Sequence, residues 1–360
     1  MLALICGPST AAAEGQGQTP PPTVEGSIGL KLLDAPRDRE SDPRALMYVV
    51  DHLAPGSVIH RRLLVTNTSD VSQRVDLYAG SAAVNSGAFT VDADRTPNEL
   101  TTWVSVDDCV SDADVSSKTT DCGTPGTRPS TSPSTVPSTL LPSTVVREVP
   151  AHGTAMVRVS VRVPPNASAG ERYAVLWAQV AGLTGPAANV RLVNRVGVRI
   201  YLDVGPGGEP PSDFGIEELT PGREPDGTPK LVAKVHNTGK RALDLSGSMS
   251  MTDGPGSLSA GPFTVNLGTT LGIDETEPVT VLLDRKLPDG PWKAHLTLAS
   301  GLVRHTVTAT ITFPEGSRAN ASVTPDTADS YAMTPGVAMG VSAVLLLVVC
   351  GLMVRRRRVS

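Results

Sequence analysis

Thr154-Ala155-Met156-Val157-Arg158-Val159-Ser160-Val161-Arg162-Val163 sets the fold class of this 360-residue chain. Val157, Val159, Val161 and Val163 fall on one side of an extended backbone, and Arg158, Ser160 and Arg162 on the other. That period of two marks a β-strand with one face in a core, and the branched Cβ of valine suits the pleat. Comparable stretches recur. Residues 28–33, 45–51, 58–67 and 71–79 read as strands, 173–180 is a continuous apolar run, and 190–204 alternates through Val190, Leu192, Val196, Val198, Ile200 and Leu202. Farther on, 231–237, 243–251, 279–283, 292–298 and 303–313 repeat the pattern. Turn signals separate them at Leu53-Ala54-Pro55-Gly56, Asn67-Thr68-Ser69-Asp70 and Asn237-Thr238-Gly239. With 34 glycines, 31 prolines and no long helical periodicity, the expectation is all-β: two tandem immunoglobulin-like β-sandwich domains. The first is placed at 27–204 and the second at 213–313. Gly205-Pro206-Gly207-Gly208-Glu209-Pro210-Pro211 makes 205–212 a linker by composition. Val65-Thr66-Asn67-Thr68 and Val235-His236-Asn237-Thr238 repeat one strand-into-turn pattern and suggest related domains.

The first domain carries an insertion at 105–146. Cys109 and Cys122 lie in it with 12 residues between them. In an oxidising compartment they are expected to pair, stabilising the fold by about 3 kcal/mol in the chain-entropy model; the alternative is two free thiols. Two thiols without a nearby histidine do not make a zinc site. Asp107, Asp108, Asp112, Asp114 and Asp121 surround the pair but lack EF-hand spacing, so they read as a solvated acidic loop and not as a calcium site. Pro-Ser-Thr then recurs from 129, 133, 137 and 142. Such a run builds no core and reads as a solvated loop, with an O-glycosylated stalk as the alternative.

Both ends are apolar. Gly336 to Val354 is 19 residues without a charge, followed by Arg355, Arg356, Arg357 and Arg358. A helix of that length spans about 28 Å, close to the hydrocarbon core of a bilayer. The four arginines hold the tail 355–360 on the cytoplasmic side. Residues 336–354 are therefore expected to cross the membrane once, with the N-terminus extracellular, and 314–335 to be a polar juxtamembrane tether. Gly336 and Gly340 have the small-xxx-small spacing that lets two such helices approach. At the other end, Leu2 to Cys6 is apolar and Ala11-Ala12-Ala13 offers a cleavage site, so 1–13 reads as a secretory signal. It lacks a charged n-region: either the start lies upstream or the signal is atypical. Residues 14–26 are expected to be a disordered spacer.

The net charge is −5, and it is more negative still outside the membrane once the tail arginines are set aside. An acidic exterior argues against nucleic acid and anionic polymers as partners. The six histidines, at 52, 60, 152, 236, 295 and 305, include no i, i+4 pair, so there is no zincin helix. There is no Gly-x-Ser-x-Gly elbow, P-loop or dinucleotide fingerprint. No catalytic residue, metal ligand or cofactor is expected, and the chain reads as non-enzymatic. With 4 Phe, 5 Tyr and 3 Trp, exposed rings for a sugar are scarce. Trp177 and Trp292 lie in strands, and Trp103, the least committed, also reads as core.

Leu53-Ala54-Pro55-Gly56, then Val65-Thr66-Asn67-Thr68-Ser69, then Val163-Pro164-Pro165 leading to Gly170-Glu171-Arg172-Tyr173-Ala174 resemble the first domain of the WxL-interacting cell-surface proteins, once catalogued as DUF916. The resemblance covers about 27–204, and the order of signal, two sandwiches, membrane helix and basic tail is similar too. It implies a Gram-positive surface protein whose first domain associates with peptidoglycan and whose second meets other surface or host proteins. The acidic cysteine loop and the Pro-Ser-Thr run depart from that pattern, and the second domain resembles a generic immunoglobulin-like module. The chain holds no Trp-x-Leu of its own, which would put it on the binding side of such a pair. Leu141-Pro142-Ser143-Thr144-Val145 lacks the glycine of a sortase signal and lies far from the span. The expected function is a membrane-anchored, cell-wall-facing binding protein, its partner peptidoglycan or another surface protein. The alternatives are a structural stalk or assembly partner without glycan affinity, and a divergent secreted enzyme.

Overall fold

The computed structural model describes residues 28–93, 95–108, 144–181, 193–265, 268–314 and 321–327. The expected signal 1–13, the spacer 14–26, Cys109 and Cys122, the Pro-Ser-Thr run as far as 143, the span 336–354 and Arg355 to Arg358 all lie outside the described residues. Among the described residues no helix is long and apolar enough to cross a membrane.

The first unit runs β1 (Ile28–Leu32), α1 (Pro43–Met47), β2 (Val49–Leu53), β3 (Val58–Asn67), β4 (Gln73–Asn85), β5 (Ala88–Val91), α2 (Glu99–Trp103), β6 (Val104–Asp108), β7 (Val145–Val149), β8 (Thr154–Arg162), β9 (Gly170–Ala181) and β10 (Val193–Val204). One sheet has the order β1-β3-β8-β6; the other is β2-β10-β9-β4-β5, with β7 also on β4. Their facing sides form one core, Leu63, Val65, Val157, Val159 and Val161 from the first sheet meeting Leu77, Leu176, Ile200 and Leu202 from the second. This is a β-sandwich. The valines of β8 are buried as their alternation requires, while on the other face Arg162 is exposed and Ser160 is covered. Ser160 is buried and accepts or donates with His60 Nδ1 at 2.8 Å across the strand pair.

The second unit runs β11 (Phe214–Arg223), β12 (Pro229–Asn237), β13 (Leu243–Asp244), β14 (Ser246–Gly254), β15 (Leu258–Thr264), β16 (Thr270–Leu271), β17 (Thr276–Leu282), β18 (Gly290–Ser300), β19 (Val303–Phe313) and β20 (Asp326–Thr327). Its sheets are β11-β12-β17 and β15-β14-β18-β19-β20, with the short pair β13-β16 beside them. Its core gathers Leu231, Val235, Val279 and Val281 against Met249, Met251, Trp292, Leu296, Leu298 and Ile311. Among the described residues the chain is thus β in class with immunoglobulin-like sandwich architecture, apart from two five-residue helices and two 3₁₀ turns.

The two units share detail as well as outline. β3-β8 matches β12-β17, and β4-β9-β10 matches β14-β18-β19. Asn67 and Asn237 end corresponding strands and are both fully buried. Asn67 Nδ2 donates to the carbonyls of Val71 (2.8 Å), Val149 (3.1 Å) and Pro150 (2.9 Å). Asn237 Nδ2 donates to those of Arg241 (2.8 Å) and Gly272 (2.8 Å). Each Oδ1 accepts a backbone N–H two residues on, from Ser69 and Gly239, both at 3.0 Å. One buried amide thus ties the turn to the facing strand connection in each unit.

Several local expectations need correction. Residues 45–51 are not one strand: Asp42 caps α1, its Oδ1 accepting Arg44 N–H at 2.9 Å, with Pro43 as the first helical residue. Residues 243–251 split at Leu245 into β13 and β14. The core reading of Trp103 stands without correction: it closes α2 and is buried in the first core, under the Arg172 guanidinium at 4.9 Å. The segment 205–212 is held and does not act as a free spacer: Gly205 N–H donates to Leu53 O (3.1 Å), Glu209 pairs with Arg39 and Arg241, and Pro211 O accepts from Lys240 (2.8 Å). The tether 314–335 begins too early, because Val323 bridges Leu219 and β20 pairs with β19. The insertion 105–146 is shorter too, since its two ends belong to β6 and β7.

Replacing Asn237 by Asp keeps the shape but turns donors toward carbonyls into acceptors. Unsatisfied buried polar groups cost about 1–3 kcal/mol each, so N237D is expected to lose about 3 kcal/mol or more in urea unfolding, and N67D a similar amount. A loss under about 1 kcal/mol at both would show that the turns do not need this brace.

Candidate functional site: the seam between the sandwiches

A dense cluster of charged and aromatic side chains lies where the two units meet. It has two centres. Arg241, on the turn after β12, is fully buried. Its Nε donates to Glu171 Oε1 at 3.2 Å, Nη1 pairs with Glu209, and Nη2 donates to the carbonyls of Asp51 (3.2 Å) and Tyr201 (3.3 Å). Glu171, at the start of β9, has a fully buried side chain and also accepts from Ala242 N–H at 2.7 Å and Tyr173 OH at 2.9 Å. A guanidinium of the second unit is therefore seated among acceptors of the first.

The second centre is Asp244 of β13. Its Oδ1 accepts from Tyr201 OH (2.7 Å), Arg199 Nη1 (2.8 Å) and Thr270 Oγ1 (2.9 Å), and its Oδ2 from Arg44 Nε (2.8 Å). Here a carboxylate of the second unit meets two arginines and a tyrosine of the first. Around it Tyr48, Phe89, Tyr173 and Tyr201 form a layer with centroids 5.2–6.4 Å apart. Arg44 lies 4.1 Å over the Tyr201 ring and Arg199 lies 4.7 Å over Phe89. The β4–β5 hairpin joins in, Gly87 O accepting Thr270 N–H at 2.9 Å.

Burial and the neighbouring carboxylates raise two phenols. Desolvation pushes Tyr173 and Tyr201 up, and the negative charges of Glu171 and Asp244, respectively, add to it. Burial likewise raises the Asp51 carboxyl, against the pull of Arg61, whose Nη2 donates to it at 2.5 Å. At the rim of the first unit Asp34 is lowered: burial raises it, but the hydrogen bonds and charge of Arg62 outweigh that.

Beside the seam opens a cleft of about 200 Å³. Asp38, Arg39, Asp42 and Arg44 of the first unit, Glu209 and Ser212 of the connection, and Leu243 and the β18–β19 turn of the second unit line it.

The sequence named none of these residues as a site. Arg241, Asp244, Arg44 and Arg199 look like ordinary surface charges in the linear chain. Glu171, Tyr173 and Glu209 stood in quoted stretches, and nothing there marked Glu171 as a partner for a residue 70 positions on. The quoted stretches do come together in part: Gly56 N–H donates to Val163 O at 3.1 Å and Pro164 O at 3.2 Å. The histidines are scattered, each bonded locally, as His52 to Asp203 (2.5 Å) and His305 to Asp213 (2.6 Å). Among the described residues no group of three or more His, Cys, Asp or Glu is placed to hold a metal ion.

No protein-family model matches the chain, and no curated protein matches it. Likenesses to solved structures are loose. The chaperone DraB of E. coli is 13% identical over 80% of this chain and 98% of its own, with a TM-score of 0.34. The Salmonella enterica SafA pilin in complex with the SafB chaperone gives 11% identity over 79% and 96%, TM-score 0.35. The Pseudomonas aeruginosa CupB2 chaperone gives 13% over 74% and 97%, TM-score 0.33. At such scores the functional reading rests on this chain's own residues.

Two outcomes follow from the seam. Asp244→Ala leaves buried Arg44 without its carboxylate, and breaking such a pair costs about 3–5 kcal/mol. Calorimetry is expected to show one unfolding transition for the parent chain and two for D244A; two transitions in both would mean that the seam does not couple the units. The raised phenols favour the neutral form in the fold. Their contribution is complete below the ordinary tyrosine value of about 10 and is lost as pH rises beyond it. Alkaline absorbance titration should therefore show Tyr173 and Tyr201 ionising only as the protein unfolds; normal reversible titration of all five tyrosines would contradict this.

Proposed function

We propose that this chain is a non-enzymatic, membrane-anchored binding protein of a Gram-positive cell surface, held by 336–354, whose two sandwiches reach outward and engage the cell wall. The observation that carries the reading is the seam. Buried Arg241 and half-buried Asp244 fasten the two units to each other through side-chain acceptors and donors instead of leaving them on a loose string. A fastened pair makes a stiff arm, the form suited to holding a binding surface at a set height above a membrane. The resemblance of 27–204 to the peptidoglycan-associated domain supplies the wall as partner, and Cys109–Cys122 as a disulfide fits the oxidising side.

The second reading is an assembly partner for another surface protein without glycan affinity. The edge strand β17 favours it: among the described residues β17 pairs with β12 alone, and Leu282 at its end is 43% exposed. An open edge of this kind accepts a strand from another chain.

Co-sedimentation of the full-length protein in mild detergent with purified peptidoglycan separates the readings. The wall reading expects retention at both low and high salt, because an acidic protein gains little from charge attraction to an anionic wall. Retention only at low salt, or none at all, would defeat wall recognition. A single surface protein recovered by cross-linking would then support the assembly reading.

A further inference from the structure

The last described strand shows where the chain heads. β20 pairs antiparallel with β19, Thr327 beside Val307 and Asp326 beside Thr308. Val323 bridges Leu219 antiparallel to β11. Both β11 and β19 begin at the seam, since Phe214 follows the connection 205–212 and Val303 lines the cleft. Both pairings therefore carry the chain from Val323 to Thr327 toward the seam and away from the far end of the second sandwich. Val303 lies four residues back from Val307, about 13 Å along the strand. From Thr327 to Gly336, where the proposed span starts, is nine residues, at most about 31 Å when fully drawn out. The span therefore cannot begin more than about 18 Å beyond the β18–β19 turn.

The surface at that end is apolar and open. Leu302, at the tip of the β18–β19 turn, is 62% exposed. The turn lies against the start of α1: Gly301 has a φ of 59°, and a Cβ there would fall 2.6 Å from Asp42 Oδ1. On α1 itself Pro43, Leu46 and Met47 are exposed at i, i+3 and i+4, one face of the helix. Leu46 and Met47 are each more than half exposed. The opposite end of the second unit differs. There Asp226, Asp253, Asp284, Arg285, Lys286 and Asp289 are exposed on the connections, and taking such charges out of water is costly. Exposed apolar residues gathered from both units, beside the point toward which the chain runs, mark a surface that something apolar covers. We infer, on the reading that 336–354 is the anchor, that the seam rests on the outer leaflet of the same bilayer, with Leu302, Leu46 and Met47 dipping into its interface. Arg37, Asp38 and Arg304, exposed at the rim, stay at headgroup level. The joint is then the part of the arm nearest the membrane, and both sandwiches rise from it.

The test uses the full-length protein reconstituted in vesicles of phosphatidylcholine and phosphatidylglycerol that carry a nitroxide lipid labelled near the headgroup. Leu302→Trp and Leu46→Trp place an indole in the patch. Leu258→Trp, at an exposed position of the opposite end, is the control. The parent protein, with its three tryptophans, sets the background. The added indoles at 302 and 46 are expected to shift to the blue and lose most of their emission to the nitroxide, at high salt as at low, because the contact is apolar. The indole at 258 is expected to emit as in water. No added quenching at 302 and 46, or equal quenching at 258, would overturn the proposal. Flotation of the parent vesicles in alkaline carbonate tests the anchor separately. Protein that stays with the vesicles while 302 and 46 go unquenched defeats this orientation alone; protein that leaves them defeats the anchor and the orientation with it.

Discussion

The fit of Arg241 into the first sandwich is the constraint on which the arrangement of the whole molecule depends. A buried guanidinium is tolerable only when its charge and its N–H groups are answered. Here the answers come from Glu171, Glu209 and the carbonyls of Asp51 and Tyr201, all outside the second unit's own sandwich. If the units separate, both Arg241 and Glu171 lose their main partners together. The relative placement is thus set by charge satisfaction at a few points, with Asp244 and its four donors as the second point. Apolar contact alone is non-directional and would permit sliding; hydrogen-bonded charges do not.

The tandem architecture explains how such a plug arose on a turn. In the first unit the buried amide of Asn67 braces a turn ending at Val71, which is 57% exposed. In the second unit Asn237 braces the corresponding turn, and the residue whose carbonyl it holds is Arg241, with no exposure at all. The same backbone device serves both. What differs is the side chain carried at the braced position: an exposed valine in one copy, an interdomain anchor in the other. Rigidity of the turn matters for the second use, because a guanidinium must meet four acceptors at hydrogen-bond distance. Asn237 therefore contributes to the seam without touching the first unit.

The connection between the units carries part of the same load. Gly205 to Pro211 has the composition of a flexible spacer, but Glu209 sits between Arg39 and Arg241 and so ties the connection to both sandwiches. One glutamate among glycines and prolines changes the mechanical meaning of the segment. Composition describes what a segment does when nothing holds it. It does not report salt bridges to residues 32 and 170 positions distant.

How much could be read from the chain follows from the range of each interaction. Strand patterns were legible because burial on a sheet imposes a period of two on neighbouring residues, and Val157 to Val163 shows it plainly. The Asn turns were legible as turns, and their recurrence hinted at related units. Helix α1 was missed although Asp42-Pro43 is a helix-start signal, because Val49 and Val50 beyond it drew the strand reading upstream. The seam and its cleft were not legible. Arg44, Glu171, Arg199, Arg241 and Asp244 are ordinary charged residues in their local settings, and their meaning comes from partners 45 to 200 positions away. Local periodicity is a property of the chain, so the sequence by itself determined the strands with a plain period of two, such as β8, β10 and β18, and the Asn turns, while β11 and the shorter strands went unread. Charge pairing between units needs both units folded and docked, so only the tertiary structure decided which charges are buried and what they hold.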